Sequence, residues 1–132
     1  MHEFPLVPPI IVDESGDVDV FESVQYAESY LEAIDVEKRR FVAYDKEGRL
    51  LELLPTSTRI TIRSAEEQPN HADDLKNLLL KFLSRVGVSS DWLAEASLEE
   101  LVNKSLEFKI DPTGSPFDLL RDFFLYLKGR FS

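Results

Sequence analysis

Short apolar runs separated by turn residues occupy the first half of the chain, a pattern that predicts β-strands. The predicted strands span residues 10–12, 18–21, 40–44, 49–54 and 58–63. Gly16 and Gly48 lie in the turns of two predicted hairpins, at 13–17 and 45–48, and Pro55 is expected to end the second. Apolar and polar residues alternate strictly in the last strand, which predicts one core-facing side. Because such a sheet has one apolar and one polar face, we expect helices on only one side of it.

Residues at helical spacing follow the first predicted hairpin. Ser23 is a suitable N-cap for a helix over residues 24–34. The apolar residues that share one side of this helix are Val24, Ala27, Leu31 and Ile34. The opposite side carries acidic and polar residues, so we expect its carboxylates, including those of Glu28 and Glu32, to face solvent.

The second half of the chain shows helical periodicity. The signals for helix starts and ends are Asn70, Gly87, Ser90, the Ser97–Glu100 capping box and the Ser115–Pro116 pair. The sequence therefore predicts an α+β fold: a mostly antiparallel sheet of about five short strands, one helix inserted after the first hairpin, and a C-terminal group of three to four helices. We expect a single domain over residues 1–132, with an extended arm at 1–9, a strand-rich part at 10–64 and a helical part at 70–131.

Composition narrows the classes of partner. The 132 residues include 25 acidic and 15 basic residues, which gives a formal net charge of −10, and they include no cysteine. This charge argues against nucleic acid and anionic membranes as partners, because both attract basic surfaces. The lack of cysteine excludes disulfides and Cys-ligated metals. No apolar run reaches the roughly 18–20 residues of a membrane span, and the first residues lack a signal-peptide pattern, so we expect a cytoplasmic protein.

The negative charge is concentrated at the start of the chain. Residues 1–37 contain ten acidic residues and neither lysine nor arginine, so the remaining 15 acidic residues balance all 15 basic residues. Such an asymmetry is typical of a surface that recognises a charged partner. The candidate partner-binding residues are Asp13, Glu14, Asp17, Asp19, Glu22, Glu28, Glu32 and Asp35. The alternative is that basic residues neutralise them within the chain, the candidates being Lys38, Arg39, Arg40, Arg59 and Arg63.

Motifs for catalysis and metal binding are missing from the sequence. It contains no Gly-rich phosphate loop, no Gly-x-Ser-x-Gly elbow and no His-Glu-x-x-His pair. The acidic segment 13–19 does not fit a calcium loop, because Val18 and Val24 stand where an EF-hand has glycine and glutamate. His71 has no neighbouring group in the sequence that would make it a general base. We therefore expect a non-enzyme with no cofactor and no metal.

Three segments of the sequence carry a family resemblance. They are VFES–AESYLE–IDV within residues 20–36, YDKEGRLL at 44–51 and, more faintly, NHADDL at 70–75. They resemble small bacterial proteins of unassigned role, among them immunity partners of secreted polymorphic toxins. The resemblance implies a bacterial cytoplasmic protein that binds a cognate toxin, and it assigns no site residues.

Charge and resemblance together predict a non-catalytic acidic protein that binds another protein. The partner we expect is basic, and the function is that of an immunity protein or inhibitor that neutralises a basic toxin. The alternative is a homo-oligomeric structural or adaptor module. In that case Trp92 or the aromatic last helix would form a homodimer interface, although core packing also explains both.

Overall fold

The computed structural model describes residues 5–31, 41–56 and 59–110, which form a five-stranded sheet and four α-helices. The strands are β1 (Ile10–Glu14), β2 (Asp17–Phe21), β3 (Phe41–Tyr44), β4 (Leu50–Thr56) and β5 (Arg59–Ser64). Their order across the sheet is β2-β1-β3-β4-β5, and every neighbouring pair is antiparallel. The predicted α+β class and the five-stranded antiparallel sheet are therefore confirmed.

One helix follows the first hairpin, and three follow the sheet. They are α1 (Val24–Tyr30), α2 (Ala72–Arg85), α3 (Ser90–Glu95) and α4 (Leu98–Ser105), with a 3-10 turn at Leu106–Phe108. Ser23 caps α1 as predicted, because its Oγ accepts a hydrogen bond from the Tyr26 N–H at 3.1 Å. The predicted capping box between Ser97 and Glu100 is also present at the start of α4. The aromatic helix predicted after Pro116 lies outside the described residues.

Helices cover both faces of the sheet, which corrects the expectation that only one face is covered. On the face that we call the α2 face, Ile11 packs with α2, α3 and α4. On the opposite α1 face, Ile10 and Val12 pack with Ala27 of α1. Three consecutive buried apolar residues are typical of a strand that is covered on both sides. The strict alternation predicted for β5 is confirmed, but it describes that edge strand alone.

The structure also moves several predicted boundaries. The first turn is shorter than 13–17, because both strands continue to a two-residue turn at Ser15–Gly16. Helix α1 ends at Tyr30, because Leu31 has an extended backbone, so the prediction of a helix to residue 34 is wrong. The N-cap of α2 is His71 rather than Asn70, whose side chain donates to Glu66 instead.

Pro55 does not end β4, as the sequence had suggested, but pairs with Ile60 inside it. The N–H of Ile62 points away from β4, towards Glu28. Ile60 lies two residues earlier and has the same orientation. Its partner Pro55 is therefore at a position where the backbone nitrogen points away from β5. On the other side, the described part of β3 pairs only with the first two residues of β4. The missing N–H of proline therefore removes no ladder hydrogen bond.

Both edge strands of the sheet have further hydrogen-bond partners. At β5, Glu28 of α1 accepts from the Ile62 N–H at 2.8 Å, and Ser64 donates through its hydroxyl to the Pro5 carbonyl. At β2, the Ile110 N–H donates to the Val20 carbonyl at 2.8 Å. Helix α1 therefore crosses the sheet from the end of β2 to contact β5. Within the described part of the chain, no helix has both the length and the apolar character needed to cross a membrane.

Candidate functional site

A tight turn groups four of the predicted acidic site residues on the β1–β2 hairpin. Ser15 and Gly16 both have positive φ, at 52° and 102°, which gives the local twist that a two-residue hairpin turn requires. Asp13 stabilises this turn by accepting from the Gly16 N–H at 2.7 Å. We call the hairpin with its side chains Asp13, Glu14, Asp17 and Asp19 the acidic hairpin.

The carboxylates of the acidic hairpin divide between the two faces of the sheet. Asp13 pairs with Val18 and lies on the α2 face, whereas the other three carboxylates lie on the α1 face. Glu14 stands directly opposite Asp17, so two like charges are neighbours at the tip. Glu14 and Asp19 each have a further interaction and are not unpaired charges. No ion pair within the described ranges involves Asp13 or Asp17.

The two remaining predicted site residues that the structure describes, Glu22 and Glu28, each have a partner away from the hairpin tip. Glu22 forms an ion pair with Lys109, with Oε2 and Nζ 2.7 Å apart. Glu28 is half-buried and binds the backbone of β5, which corrects the expectation that it faces solvent. A helical wheel gives the side of a helix that faces its core, but not a neighbouring strand edge. Glu32 and Asp35 lie outside the described residues.

No ion pair joins Arg59 or Arg63 to a described acid of residues 1–37, so internal neutralisation by these two predicted bases is not seen there. Arg63 pairs with Glu52 of the neighbouring strand, with Nε and Oε2 2.8 Å apart. Arg85 at the end of α2 reaches the hairpin, but it donates to the Gly16 carbonyl at 3.0 Å rather than to a carboxylate. The predicted bases at 38–40 lie outside the described ranges. No described base lies within ion-pair distance of Asp13 or Asp17.

A second acidic residue, missed by sequence reasoning, acts on a buried tyrosine of the α2 face. Tyr44 of β3 is 8% exposed, and it lies on this face opposite Ile11. Burial raises the pKa of the Tyr44 hydroxyl above its usual value, and the charges of Asp74 and then Asp13 raise it further. Asp74 belongs to the first turn of α2, where the sequence explains it by the helix dipole alone. The helix begins beside the β3–β4 turn, where the His71 N–H donates to the Gly48 carbonyl at 3.0 Å, so only the tertiary fold brings the charge of Asp74 within range of Tyr44.

Asp45 is the fully buried charged residue among those described, and its bonds are structural. The carboxylate is 0% exposed and accepts from the N–H groups of Glu47 and Arg49 through Oδ1. Oδ2 accepts from the Val7 N–H and from Nη1 of Arg49, each at 3.1 Å. This network joins the N-terminal arm to the β3–β4 turn. Because its donors and acceptors satisfy one another, it leaves no group poised for chemistry.

Glu66 forms a second satisfied network at the start of α2. Its Oε1 accepts from the Leu50 N–H at 2.9 Å and lies 2.8 Å from Nδ1 of His71. Burial acts to raise the pKa of Glu66, but the hydrogen bonds from His71 and Leu50 outweigh burial, so that pKa lies below its usual value. A low pKa keeps Glu66 ionised, which suits a structural acceptor better than a proton donor at neutral pH.

A shallow groove beside Trp92 is the other candidate binding surface. Its volume is about 400 Å³, and it is lined by residues 86–89, Trp92, Lys104 and Phe108. Trp92 is 37% exposed, and Nζ of Lys104 lies 6.0 Å from the centre of its ring. Lys104 also pairs with Glu107 at 2.8 Å, so the rim carries both signs of charge.

No group of three or more His, Cys, Asp or Glu residues that could hold a metal ion occurs in the parts of the chain that the structure describes. No protein-family model, curated protein or solved structure matches the chain. The acidic hairpin and the Trp92 groove are therefore assessed on their own geometry.

Proposed function

We propose that this protein binds a basic protein partner through its acidic hairpin and acts by occupying that partner rather than by catalysis. The observation that supports this proposal is the placement of Asp13 and Asp17 on a hairpin tip, without an ion pair to any described base. Asp17 is exposed, and its cross-strand neighbour is a second carboxylate. A basic surface that docks there would meet an exposed carboxylate that no described base pairs with.

The net charge strengthens the effect of a local patch. A formal charge of −10 attracts a basic protein from a distance, and screening limits that attraction to about 10 Å at 0.1 M salt. Complementary charge of this kind mainly raises the association rate constant and makes it dependent on salt. Fast association would let this protein bind a harmful basic partner before that partner reaches its target.

The class of partner that fits best is a basic toxin, for which this chain would be the cytoplasmic immunity protein or inhibitor. The charge supports a basic partner, and the resemblance of residues 20–36 and 44–51 to immunity proteins supports the class. The absence of cysteine fits a reducing compartment.

The test pairs the variant Asp17→Lys with the control Glu67→Lys. Glu67 is also exposed, and its carbonyl accepts from Arg49 beyond the β3–β4 turn, at the end of the sheet opposite the acidic hairpin. Basic proteins encoded beside the gene are purified, and their association with each variant is measured by surface plasmon resonance at low and high salt. We expect Asp17→Lys to slow association about tenfold at low salt, with a smaller effect of Glu67→Lys.

Two results would contradict the proposal. The first is that none of the basic neighbours binds the wild-type protein. The second is that both variants slow association equally, which would show that only total charge matters and that the hairpin is not the site.

A second candidate function is self-association through the Trp92 groove. The observation that favours it is a rim that carries Lys104 and Glu107 next to an exposed Trp92, because a surface with both charges can complement its own copy across a two-fold axis. Sedimentation at rising concentration tests this function. A wild-type dimer that Trp92→Ala makes monomeric would support it, and a wild-type monomer throughout would contradict it.

A further inference from the structure

The Trp92 groove adjoins the acidic hairpin at the end of the sheet where the hairpin turns. Helix α2 ends at Arg85, whose Nη1 donates to the Gly16 carbonyl at 3.0 Å. The next residues of the chain, 86–89, line the groove. The groove therefore begins one residue beyond an arginine that is hydrogen-bonded to the tip of the hairpin.

A second contact joins the groove to the hairpin along β2. Phe108 lines the groove and belongs to the 3-10 turn that contacts β2. Two residues later, the Ile110 N–H donates to the Val20 carbonyl at 2.8 Å. Asp17 lies three residues from Val20 on the same strand, about 10 Å away at the rise of an extended chain. The hairpin and the groove are therefore neighbours at two separate points.

The groove offers an apolar contact with little net charge at its rim. Its apolar lining residues are Val86, Val88, Trp92 and Phe108. Its volume of about 400 Å³ is large enough to hold a whole side chain, and Trp92 is left 37% exposed beside it. Lys104 also lines the groove, but Glu107 compensates its charge at 2.8 Å.

The charge of the surrounding surface favours one kind of occupant. The carboxylates of the neighbouring hairpin attract a basic protein to this end of the molecule. A second copy of this chain is a poorer occupant, because two copies of formal charge −10 repel each other.

We propose that the Trp92 groove is the apolar part of the surface that binds the basic partner, and that it receives an apolar side chain of that partner. This inference rests on the proposed function, because it extends the same binding surface from the acidic hairpin into the groove. Protein interfaces combine a desolvated centre, in which tryptophan is enriched, with a polar rim. The hairpin carboxylates speed association, and the contact with Trp92 slows dissociation.

A spectroscopic test uses Trp92 itself, which is the single tryptophan of the chain and so reports on the groove alone. The full chain is labelled with fluorotryptophan and titrated with the basic neighbour that binds the wild type, while ¹⁹F NMR follows the one signal. We expect this signal to shift as the partner saturates the protein, because the ring exchanges water for apolar contacts. The measurement needs no substitution, so it does not depend on the folding of a groove variant.

The variant Trp92→Ala tests how much the groove contributes to binding. We expect it to accelerate dissociation of the basic neighbour about thirtyfold in surface plasmon resonance. The acceleration should be the same at low and high salt, because salt does not screen an apolar contact. By contrast, Asp17→Lys should slow association, mainly at low salt.

The matched control is Tyr30→Ala. Tyr30 is also a large exposed side chain, at 47%, but it ends α1 on the opposite face of the sheet. Its ring packs on Phe21, at the end of β2 remote from the hairpin tip, with centroids 5.2 Å apart. We expect Tyr30→Ala to change dissociation less than about threefold, because its contacts lie outside the groove.

Three results would overturn the inference. The first is a fluorine signal that does not move when the partner saturates the protein. The second is that Trp92→Ala dissociates no faster than Tyr30→Ala. The third is a wild-type dimer in sedimentation that Trp92→Ala makes monomeric, because a second copy would then occupy the groove.

The two proposals fail in different ways. If a basic neighbour binds with the expected sensitivity to Asp17→Lys but leaves Trp92 unaffected, the function stands and the groove is not part of the site. If Trp92→Ala accelerates dissociation while Asp17→Lys and Glu67→Lys slow association equally, the groove binds the partner and the hairpin does not. If none of the basic neighbours binds the wild type, both proposals are wrong.

Discussion

The variant Asp45→Ala should show how strongly one buried carboxylate stabilises the fold. The Asp45 side chain is completely buried and accepts four hydrogen bonds, from the N–H groups of Val7, Glu47 and Arg49 and from the Arg49 guanidinium. Alanine would leave three backbone N–H groups without this acceptor. It would also leave a guanidinium that is only 11% exposed without its buried partner.

The expected magnitude follows from these lost partners. Three backbone N–H groups would lose a buried acceptor, at about 1–3 kcal/mol for each donor left unsatisfied, while Arg49 would keep only Glu47 as a carboxylate partner, so we expect a loss of about 3–5 kcal/mol. Since the free energy of unfolding of a domain is about 5–15 kcal/mol, Asp45→Ala should remove a large fraction of it. Asp45→Asn keeps an oxygen for the two turn N–H groups but places an amide near Val7 and Arg49, so we expect a smaller loss of about 2–3 kcal/mol.

Urea unfolding followed by circular dichroism measures both losses. The control is Glu47→Gln, since Glu47 also pairs with Arg49 but is 46% exposed, and a pair of this kind contributes less than about 1 kcal/mol. The reasoning would be refuted if Asp45→Ala lay within about 1 kcal/mol of the wild type, or if Glu47→Gln cost as much. Amide exchange at Val7 should also accelerate in Asp45→Ala, because its N–H loses the acceptor that holds the arm.

Three further outcomes are expected. Gly48→Ala should cost about 3 kcal/mol or more, because φ is +95° and the added Cβ would lie 2.4 Å from Cα of Ala72. Gly16→Ala, with φ at +102° but its nearest neighbouring atom at 3.9 Å, should cost only about 1–2 kcal/mol of strain; equal losses in urea would contradict this comparison. Glu66→Gln should cost about 1–3 kcal/mol at neutral pH, and less below the lowered pKa of Glu66, where the wild type is protonated too; a cost independent of pH would contradict the ionised acceptor. Because burial raises the pKa of Tyr44, the wild type should lose stability as the pH rises above about 10, and Tyr44→Phe should lose less; equal slopes of unfolding free energy against pH would oppose this expectation.

Local signals in the sequence were sufficient to predict the elements themselves. Ser23 and the Ser97–Glu100 pair mark helix starts because a capping side chain bonds a backbone N–H only three residues away. Gly48 marks a turn because positive φ strongly favours glycine. Such contacts are short-range, so the order of residues in the chain determines them.

The candidate site depended on contacts that local patterns do not contain. Tyr44 and Asp74 are thirty residues apart in sequence, and only the packing of α2 on the sheet brings the charge of Asp74 within range of Tyr44. The helical pattern placed Glu28 on the solvent side of α1. Its contact with the Ile62 N–H depends on which strand forms the neighbouring edge of the sheet, and the strand order cannot be read from the helix pattern. The concentration of acids in residues 1–37 was visible in the sequence, but their division between two sheet faces required the register of β1 and β2.

The contacts at the two edge strands have a consequence for how the chain behaves when it is abundant. An exposed strand edge can template the next molecule and lead to fibrils. Here a glutamate side chain binds the outward N–H of Ile62, and the backbone of Ile110 binds the outward carbonyl of Val20. Each sheet border therefore has one backbone group fewer to offer another strand, and mutual repulsion between copies of charge −10 further opposes polymerisation. We expect concentrated solutions of the folded protein to remain free of fibrils.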